Sequence, residues 1–193
     1  MRLAHYLTNN TIRLGLVQAR KVFDLLVLEK ELGFSFSTQL KPLTLEKVLA
    51  ADLLGRIREN ESKAYSLQSG LPIETVKFLS PILNPEKILF VARNYAAHVK
   101  ELDEKQPSEP FFFTKLRNTL IGPEDPILIP RVSKAVDWEV ELAVIIAKSG
   151  KYISRNEAMN YVAGYTISND VSFRDLQHST AHLITRSPLE QTG

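Results

Sequence analysis

Apolar residues alternate with other residues on both sides of Asn9 and Asn10. Successive side chains of a strand point to opposite faces, so this alternation predicts strands with one buried and one exposed face. Two consecutive asparagines suit the left-handed backbone of a tight turn. Residues 2–17 are therefore predicted to form a β-hairpin.

The spacing of apolar residues changes at Lys21 to the pattern of a helix. We expect this helix to run from Lys21 to about Gly33, since glycine is a common helix stop. A second apolar stripe predicts a helix from Thr44 to about Glu61. With the hairpin, these helices make residues 1–70 a small N-terminal α+β domain.

Prolines at positions 72, 81 and 85 interrupt any helix, so residues 71–86 are predicted to be a linker. Beyond it, short apolar runs bounded by proline, glycine or aspartate predict a β-rich second domain. The predicted strands are Lys87–Ala92, Phe111–Lys115, Ile127–Pro130, Trp138–Ala147 and Ala163–Ser168. Short helices are expected at Asn94–Leu102 and after Ser154, which forms a capping box with Glu157.

The composition of the 193 residues is that of an ordinary folded protein, with 44% hydrophobic and 24% charged residues. The absence of cysteine excludes disulfides, cysteine-ligated metals and a thiol nucleophile. The net charge of +2 is spread along the chain, which gives no support to a nucleic-acid partner. Since the chain has no leader-like segment and no apolar run of membrane length, we expect a soluble, cytoplasmic protein with no membrane partner.

Two carboxylates stand two positions apart in the run that begins at Asp137. If this run is a strand, Glu139 and Glu141 project from one face, while Val140 and Leu142 point into the core. Neighbouring carboxylates repel each other, and Mg²⁺, Mn²⁺ or Ca²⁺ would offset the repulsion because these ions prefer oxygen ligands. A solvent-exposed strand face carries such acidic pairs without a metal, and the pattern alone leaves both interpretations open.

Asp170 lies between the last predicted strand and a segment that we expect to form a helical turn. On a helix, Arg174 and Gln177 would share a face with Asp170. The acid would then hold a metal, and the guanidinium would hold a substrate carboxylate. The alternatives are an aspartate that caps the turn and a surface ion pair of little consequence for stability.

His98 and Glu101 are three positions apart in the predicted helix Asn94–Leu102. Residues at this spacing are neighbours on a helix, so Glu101 can orient the imidazole for general-base catalysis. The alternative is an exposed ion pair without a catalytic role.

Four motifs follow one another in order between residues 81 and 177. They are Lys87–His98; Phe112–Lys115 with Leu120–Pro123; Val136–Ala143; and Tyr161–Thr166 with Asn169–Ser172 and Arg174–Gln177. Taken together, these motifs resemble the fumarylacetoacetate hydrolase family. The resemblance implies that the second domain is a rolled mixed sheet and that the protein is a homodimer.

The resemblance also implies roles for the candidate residues. Glu139, Glu141 and Asp170 correspond to the family's ligands for a divalent metal, Mg²⁺ or else Mn²⁺ or Ca²⁺. His98 and Glu101 correspond to the catalytic dyad of its smaller, acylpyruvase-like members. The implied substrate-binding residues are Lys115, Arg174 and Gln177.

The activity implied by the resemblance is that of a metal-dependent hydrolase or lyase. Its substrate would be a small 2-oxo or 1,3-dicarbonyl carboxylic acid, whose carbon–carbon bond is cleaved through a metal-stabilised enolate. A sugar-acid dehydratase or isomerase of the same family would use the same enolate and is the alternative.

After Gln177 the family's pattern continues through further strands, whereas this chain proceeds to Gly193 without them. We therefore expect a partial catalytic domain over residues 87–177, incomplete at its C-terminus, and a divergent tail over residues 178–193. A truncated, inactive fragment with only a binding or dimerisation role is a second alternative. Missing strands would leave sheet edges unpaired and apolar surface exposed.

Overall fold

A computed structural model describes residues 1–33, 40–67, 69–101, 105 and 107–179, apart from the side chains of His98, Glu101, His178 and Ser179. Packing divides the chain into two compact units. The first comprises Met1–Asn84, Ile121–Pro126 and Glu141–Ser168, and the second comprises Pro85–Leu120, Ile127–Val140 and Asn169–Gly193. The predicted domain boundaries at residues 70, 86 and 177 follow composition rather than packing, and they stay a prediction.

Among the described residues, a five-stranded sheet and four α-helices form the N-terminal part of the first unit. The strands are β1 (Leu3–Thr8), β2 (Thr11–Gln18), β3 (Lys21–Asp24), β4 (Leu71–Pro72) and β5 (Lys77–Phe78). The helices are α1 (Leu25–Leu32), α2 (Leu45–Ala50), α3 (Leu54–Glu59) and α4 (Glu61–Tyr65). The strand order is β4-β3-β2-β1-β5, and neighbouring strands are antiparallel. Residues 71–78 of the predicted linker thus contribute both edge strands.

The predicted hairpin is confirmed. Strands β1 and β2 pair antiparallel over the whole length of β1. Asn9 and Asn10 form the turn with φ of 47° and 57°. Asparagine adopts this left-handed conformation more readily than most residues, which explains why the chain reverses here.

The first helix starts later than the sequence predicts. Residues 21–24 pair with β2 as strand β3, so the prediction of a helix from Lys21 is wrong. Asp24 marks the change, because its carboxylate accepts hydrogen bonds from two backbone N–H groups of the first turn of α1. The predicted end is confirmed, since Gly33 follows α1 with φ of 68°.

The predicted helix Thr44–Glu61 is interrupted and is not a single helix. Thr44 begins it as expected, and its hydroxyl accepts a hydrogen bond from the Lys47 N–H at 3.4 Å. Asp52, between α2 and α3, has φ of 53°, which a continuous right-handed helix does not accommodate. Within its apolar stripe, Leu45, Val48 and Ile57 are nevertheless buried.

Side chains from the sheet and the helices form the core of the first unit. Its buried residues are Leu14, Leu16, Phe23, Leu25, Leu28, Leu43, Leu45, Val48, Ile57 and Ala64. Removing this apolar surface from water is what holds the short helices against the strands. Among the described residues, no helix is both long and apolar enough to span a bilayer.

From residue 85 onwards the structure consists mainly of strand pairs. The strands are β6 (Leu89–Ala92), β7 (Phe111–Thr114), β8 (Val136–Asp137), β9 (Val140–Ile146), β10 (Val162–Asn169) and β11 (Ser172–Phe173), and the helices are α5 (Ala96–Glu101) and α6 (Arg174–Ser179). Strand β6 pairs antiparallel with β7, β8 pairs antiparallel with β11, and β9 pairs with β10. The predicted strands at residues 87–92, 111–115 and 163–168 and the helix within residues 94–102 are confirmed. The α+β fold class is confirmed as well.

Two predicted elements of this part are absent from the described residues. Residues 127–130 form no strand, and the proline at each side of Ile127–Ile129 cannot donate to a strand ladder. The side chains of Ser154 and Glu157 share a hydrogen bond of 2.9 Å, but the helix that follows is one 3₁₀ turn, Ala158–Tyr161. Residues 180–193 of the predicted tail lie outside the described residues.

The predicted strand Trp138–Ala147 begins two residues late, because Trp138 and Glu139 connect β8 to β9. On β9 the side chain of Glu141 is half-buried, whereas Val140 and Leu142 are 61% and 62% exposed. The prediction that these two aliphatic residues point into the core is therefore wrong. Which face of an alternating strand is buried depends on what packs against it, and alternation alone does not encode that choice.

Candidate metal centre

Three carboxylates meet where β9 begins and β10 ends. Glu139, Glu141 and Asp170 each offer one oxygen, and these oxygens all lie within 4.8 Å of one another. Asp170 is buried and the two glutamates are half-buried. Three carboxylates that converge in this way can ligate one divalent cation of the Mg²⁺, Mn²⁺ or Ca²⁺ type.

Backbone hydrogen bonds bring the acidic residues together. The Asp170 N–H donates to the Glu139 carbonyl oxygen at 2.8 Å, and the Glu139 N–H donates to Asn169 Oδ1 at 3.1 Å. Glu141 follows Glu139 by two positions, as the first charged residue of β9. The link between β8 and β9 therefore fixes one glutamate beside Asp170, and the strand that follows carries the other.

Lys115, which directly follows β7, forms an ion pair with the Asp170 carboxylate. Its ammonium also donates to the Val171 carbonyl oxygen at 2.9 Å and lies 5.4 Å from the centre of the Phe90 ring. Burial raises the pKa of the Asp170 carboxyl above its ordinary value, and the positive charge of Lys115 opposes this rise. Lys115 thus favours the ionised carboxylate that a metal requires.

Arg174, the first residue of α6, binds the acidic run through its guanidinium. Its Nε donates to Asp137 Oδ2 at 2.8 Å, and its Nη2 pairs with Glu139 Oε1 and with Asp137 Oδ2. Its Nη1 donates to Gln177 Oε1 at 2.8 Å. The N–H of Arg174 donates to the Ala135 carbonyl oxygen at 2.8 Å, which fixes the start of α6 beside β8.

Six of the eight predicted site residues therefore lie together: Lys115, Glu139, Glu141, Asp170, Arg174 and Gln177. The structural arrangement that the sequence predicted for these residues is wrong in one respect. Asp170, Arg174 and Gln177 do not share one helix face, because β11 separates Asp170 from α6. The side chains of His98 and Glu101 lie outside the described residues, so their dyad stays a prediction.

Three residues that the sequence analysis did not single out also belong to the network. Asp137 holds Arg174, Asn169 holds the Glu139 backbone, and the Ser172 hydroxyl donates to Glu139 Oε1 at 3.4 Å. Asp137 and Asn169 belong to the motifs Val136–Ala143 and Asn169–Ser172. Their place in these motifs was the sequence signal that could have identified them. It did not identify their partners, which are remote in sequence.

The charges of the described side chains fit a divalent cation. The network contains the carboxylates of Asp137, Glu139, Glu141 and Asp170. Lys115 pairs with Asp170, and Arg174 pairs with Asp137 and Glu139. Carboxylates crowded within a few ångströms repel one another, and burial of Asp170 makes that repulsion stronger. A divalent ion among these carboxylates would offset this repulsion.

Residues 87–190 match the family model described as fumarylacetoacetate (FAA) hydrolase, C-terminal. The match covers more than half of the 193 residues. The chain belongs to the fumarylacetoacetate hydrolase family. The resemblance inferred from the four motifs is thereby confirmed.

Curated relatives within this family include oxaloacetate tautomerases. The chain is 49% identical over 107 residues to the mitochondrial oxaloacetate tautomerase FAHD2A of Bos taurus, and 47% identical over 107 residues to that of Homo sapiens. In each case the match covers 55% of this chain and 34% of the relative. The matched segment thus spans about a third of these relatives' length.

Solved structures of the fumarylacetoacetate hydrolase fold resemble nearly the whole chain. A maleylpyruvate hydrolase from Sphingobium sp., in complex with manganese(II) and pyruvate, has a TM-score of 0.67 at 27% identity and is matched over 90% of this chain and 60% of its own. A fumarylacetoacetate hydrolase from Exiguobacterium antarcticum has a TM-score of 0.64 at 26% identity, with 97% and 62% covered. The family's fold, predicted for the second half of the chain, is confirmed.

The expectation of a cytoplasmic protein is contradicted by these comparisons, because the curated tautomerases of Bos taurus and Homo sapiens are mitochondrial. The expectation rested on the absence of a leader-like segment. An absence of this kind does not determine the compartment.

Proposed function

We propose that this chain interconverts the keto and enol forms of oxaloacetate, or of a closely similar 2-oxo dicarboxylic acid, with a divalent metal. The observation that carries the proposal is the cluster of Glu139, Glu141 and Asp170, flanked by Lys115 and Arg174. The name of the curated relatives, oxaloacetate tautomerase, supports this choice of substrate. Mg²⁺ and Mn²⁺ are the proposed ions, with Ca²⁺ as the alternative.

Glu139, Glu141 and Asp170 would hold the ion. When bound there, a divalent cation supplies Lewis acidity toward the carbonyl and carboxylate oxygens of a 2-oxo acid. Lys115 and Arg174 place two positive charges beside the acidic cluster, and these attract a substrate with two carboxylates. Arg174 Nη1 donates one of its two N–H groups to Gln177, and the other is the donor that we propose for one of those carboxylates.

Tautomerisation moves one proton from carbon 3 of the substrate and places one on the oxygen of carbon 2. The reaction is balanced without any co-reactant. We assign the base that removes the carbon-bound proton to His98, oriented by Glu101, as the family resemblance implies. A base next to a polarised carbonyl lowers the barrier to this proton transfer.

The experiment follows the ultraviolet absorbance of enol-oxaloacetate with the purified full chain, in Mn²⁺ and in chelator. We expect Mn²⁺-dependent acceleration above the rate with Mn²⁺ alone, and a loss of at least about tenfold in Glu141→Gln because a metal ligand is weakened. Glu157→Gln is the matched control, since Glu157 contacts Ser154 outside the cluster. Equal rates for wild type, Glu141→Gln and protein-free Mn²⁺ would contradict the proposal.

A second candidate is hydrolysis of a carbon–carbon bond in an acylpyruvate-type acid. The resemblance to the maleylpyruvate hydrolase that holds manganese(II) and pyruvate favours it, because pyruvate is a 2-oxo acid product of such cleavage. In this reaction water adds to the acyl carbon, the adjacent carbon–carbon bond breaks, and pyruvate leaves as its enol. Release of pyruvate from acetylpyruvate distinguishes this activity from tautomerisation, which releases nothing.

The homodimer implied by the family resemblance is also a proposal. Four side chains of one β9 face, Val140, Leu142, Val144 and Ile146, are exposed and apolar. A second copy that packs on this face would remove its apolar surface from water. Sedimentation equilibrium of the full chain tests this proposal.

A further inference from the structure

We infer that Asp137 is a positioning residue, which holds the Arg174 guanidinium in the orientation needed to bind a substrate carboxylate. This inference rests on the proposed function. Asp137 Oδ2 accepts from Arg174 Nε at 2.8 Å and lies 2.7 Å from Arg174 Nη2. One carboxylate oxygen therefore engages one whole edge of the guanidinium.

The other partners of Arg174 do not bind its Nε, so that contact belongs to Asp137. Nη2 also pairs with Glu139, and Nη1 donates to Gln177 Oε1 at 2.8 Å. Both of these partners bind the outer nitrogens, whereas Nε, which is nearest the backbone, is bound by Asp137. Because the Arg174 side chain is long and flexible, a fixed Nε is what determines the plane of the fork.

The backbone holds Asp137 at the distance that this contact requires. Asp137 in β8 is the antiparallel partner of Ser172 in β11, and Phe173 is paired with Val136. Arg174 begins α6 directly after this strand pair. Asp137 and Arg174 therefore keep one relative position, and preorganised charge of this kind costs no reorganisation when a substrate binds.

Asp175 offers a matched control for Asp137. Its carboxylate accepts hydrogen bonds from the Ser133 hydroxyl at 2.7 Å and from the Lys134 N–H at 2.8 Å. Both aspartates thus accept hydrogen bonds from other segments of the second unit, but of the two only Asp137 contacts the guanidinium of Arg174. A purely structural role predicts similar consequences for the two alanine variants.

The experiment measures oxalate binding at saturating Mn²⁺ by titration calorimetry for wild type, Asp137→Ala, Asp137→Asn and Asp175→Ala. Oxalate mimics the enolate of a 2-oxo acid and has a carboxylate for Arg174. We expect Asp137→Ala to weaken oxalate at least about tenfold, Asp137→Asn to weaken it less because an acceptor remains, and Asp175→Ala to change it by no more than about twofold. Mn²⁺ affinity without oxalate should stay within about threefold in all variants, since none of them removes a clustered ligand.

A second measurement reports on Arg174 directly. In protein labelled with ¹⁵N-arginine, the Nε–H signal of Arg174, assigned by its absence in Arg174→Lys, should exchange slowly with solvent in wild type and Asp175→Ala. It should exchange fast in Asp137→Ala. A slow signal in Asp137→Ala, or equal weakening of oxalate by the two alanine variants, would overturn the inference.

The two measurements separate this inference from the proposed function. If the wild type binds no oxalate in Mn²⁺, the proposed function fails. The exchange rate of the Arg174 Nε–H then tests by itself whether Asp137 positions the guanidinium. Fast exchange in Asp137→Ala would then still support positioning, and slow exchange would overturn it.

Discussion

His5 connects three segments of the first unit through its buried imidazole. Its Nδ1 lies 3.1 Å from the Pro81 carbonyl oxygen, and its Nε2 accepts a hydrogen bond from the Leu45 N–H at 3.1 Å. Because Nε2 accepts, the proton resides on Nδ1 and the ring is neutral. Burial lowers the pKa of His5 below its ordinary value of 6.5, while the charge of Glu46 and a hydrogen bond to Pro81 oppose this.

The lowered pKa of His5 predicts a loss of stability in acid. Between the folded pKa and 6.5 the unfolded chain binds more protons at this position than the folded chain, so the free energy of unfolding falls as the pH falls. Urea unfolding at about pH 7.5 and about pH 5.5 measures the difference. His5→Gln should be less stable at both values but show a smaller pH-dependent loss. An unchanged pH-dependent loss in His5→Gln would show that other groups cause it.

Among the elements, the junction of β3 and α1 depends on one carboxylate. Asp24 Oδ1 accepts from the N–H groups of Leu26 and Val27 at 2.8 and 3.3 Å, and Oδ2 accepts from the Tyr6 hydroxyl at 2.8 Å. The same side chain therefore caps the helix and links it to β1. Strand β3 therefore ends at Asp24, and helix α1 begins at the next residue, Leu25.

Asp24→Ala is expected to lower the free energy of unfolding by about 2 kcal/mol, because it removes a helix cap and leaves a buried tyrosine hydroxyl without its acceptor. Asp24→Asn should cost less, since asparagine caps helices nearly as well as aspartate. Tyr6→Phe removes the hydroxyl that donates to Asp24 but keeps the helix cap. It therefore separates the contribution of the hydrogen bond to β1 from that of the cap. A loss below about 0.5 kcal/mol in Asp24→Ala, measured by urea unfolding, would contradict this account of the junction.

The elements show how far a local pattern can predict structure. The hairpin at Asn9 and Asn10 and the stop at Gly33 were predictable because they depend on the backbone preferences of the residues themselves. Strand β3 was not, because Val22 also fits the helical stripe, and its pairing with Val17 of β2 overrides that fit. The interruption at Asp52, where φ is 53°, was not predicted either, because neither proline nor glycine stands at that position.

At the scale of the whole molecule, the candidate site joins segments that are remote in sequence. The spacing of Glu139 and Glu141 suggested a pair, the expected helical turn suggested Asp170, Arg174 and Gln177, and the family motifs added Lys115. The network of Asp137, Asn169 and Ser172 was not predicted, because each of its hydrogen bonds joins residues at least 30 positions apart in the sequence. The sequence thus indicated the residues that carry chemistry, and the fold was needed to find those that hold them.

The most direct test of the proposed metal centre is a thermal melt of the full chain in chelator, in Mn²⁺, and in Mn²⁺ with oxalate. A ligand at about a hundred times its Kd stabilises the folded state by about 2.7 kcal/mol. We predict a rise of Tm with Mn²⁺, a further rise with oxalate, and the loss of both rises in Glu141→Gln but not in Glu157→Gln. One unchanged Tm for the wild type under all three conditions would contradict the assignment of Glu139, Glu141 and Asp170 as a metal centre.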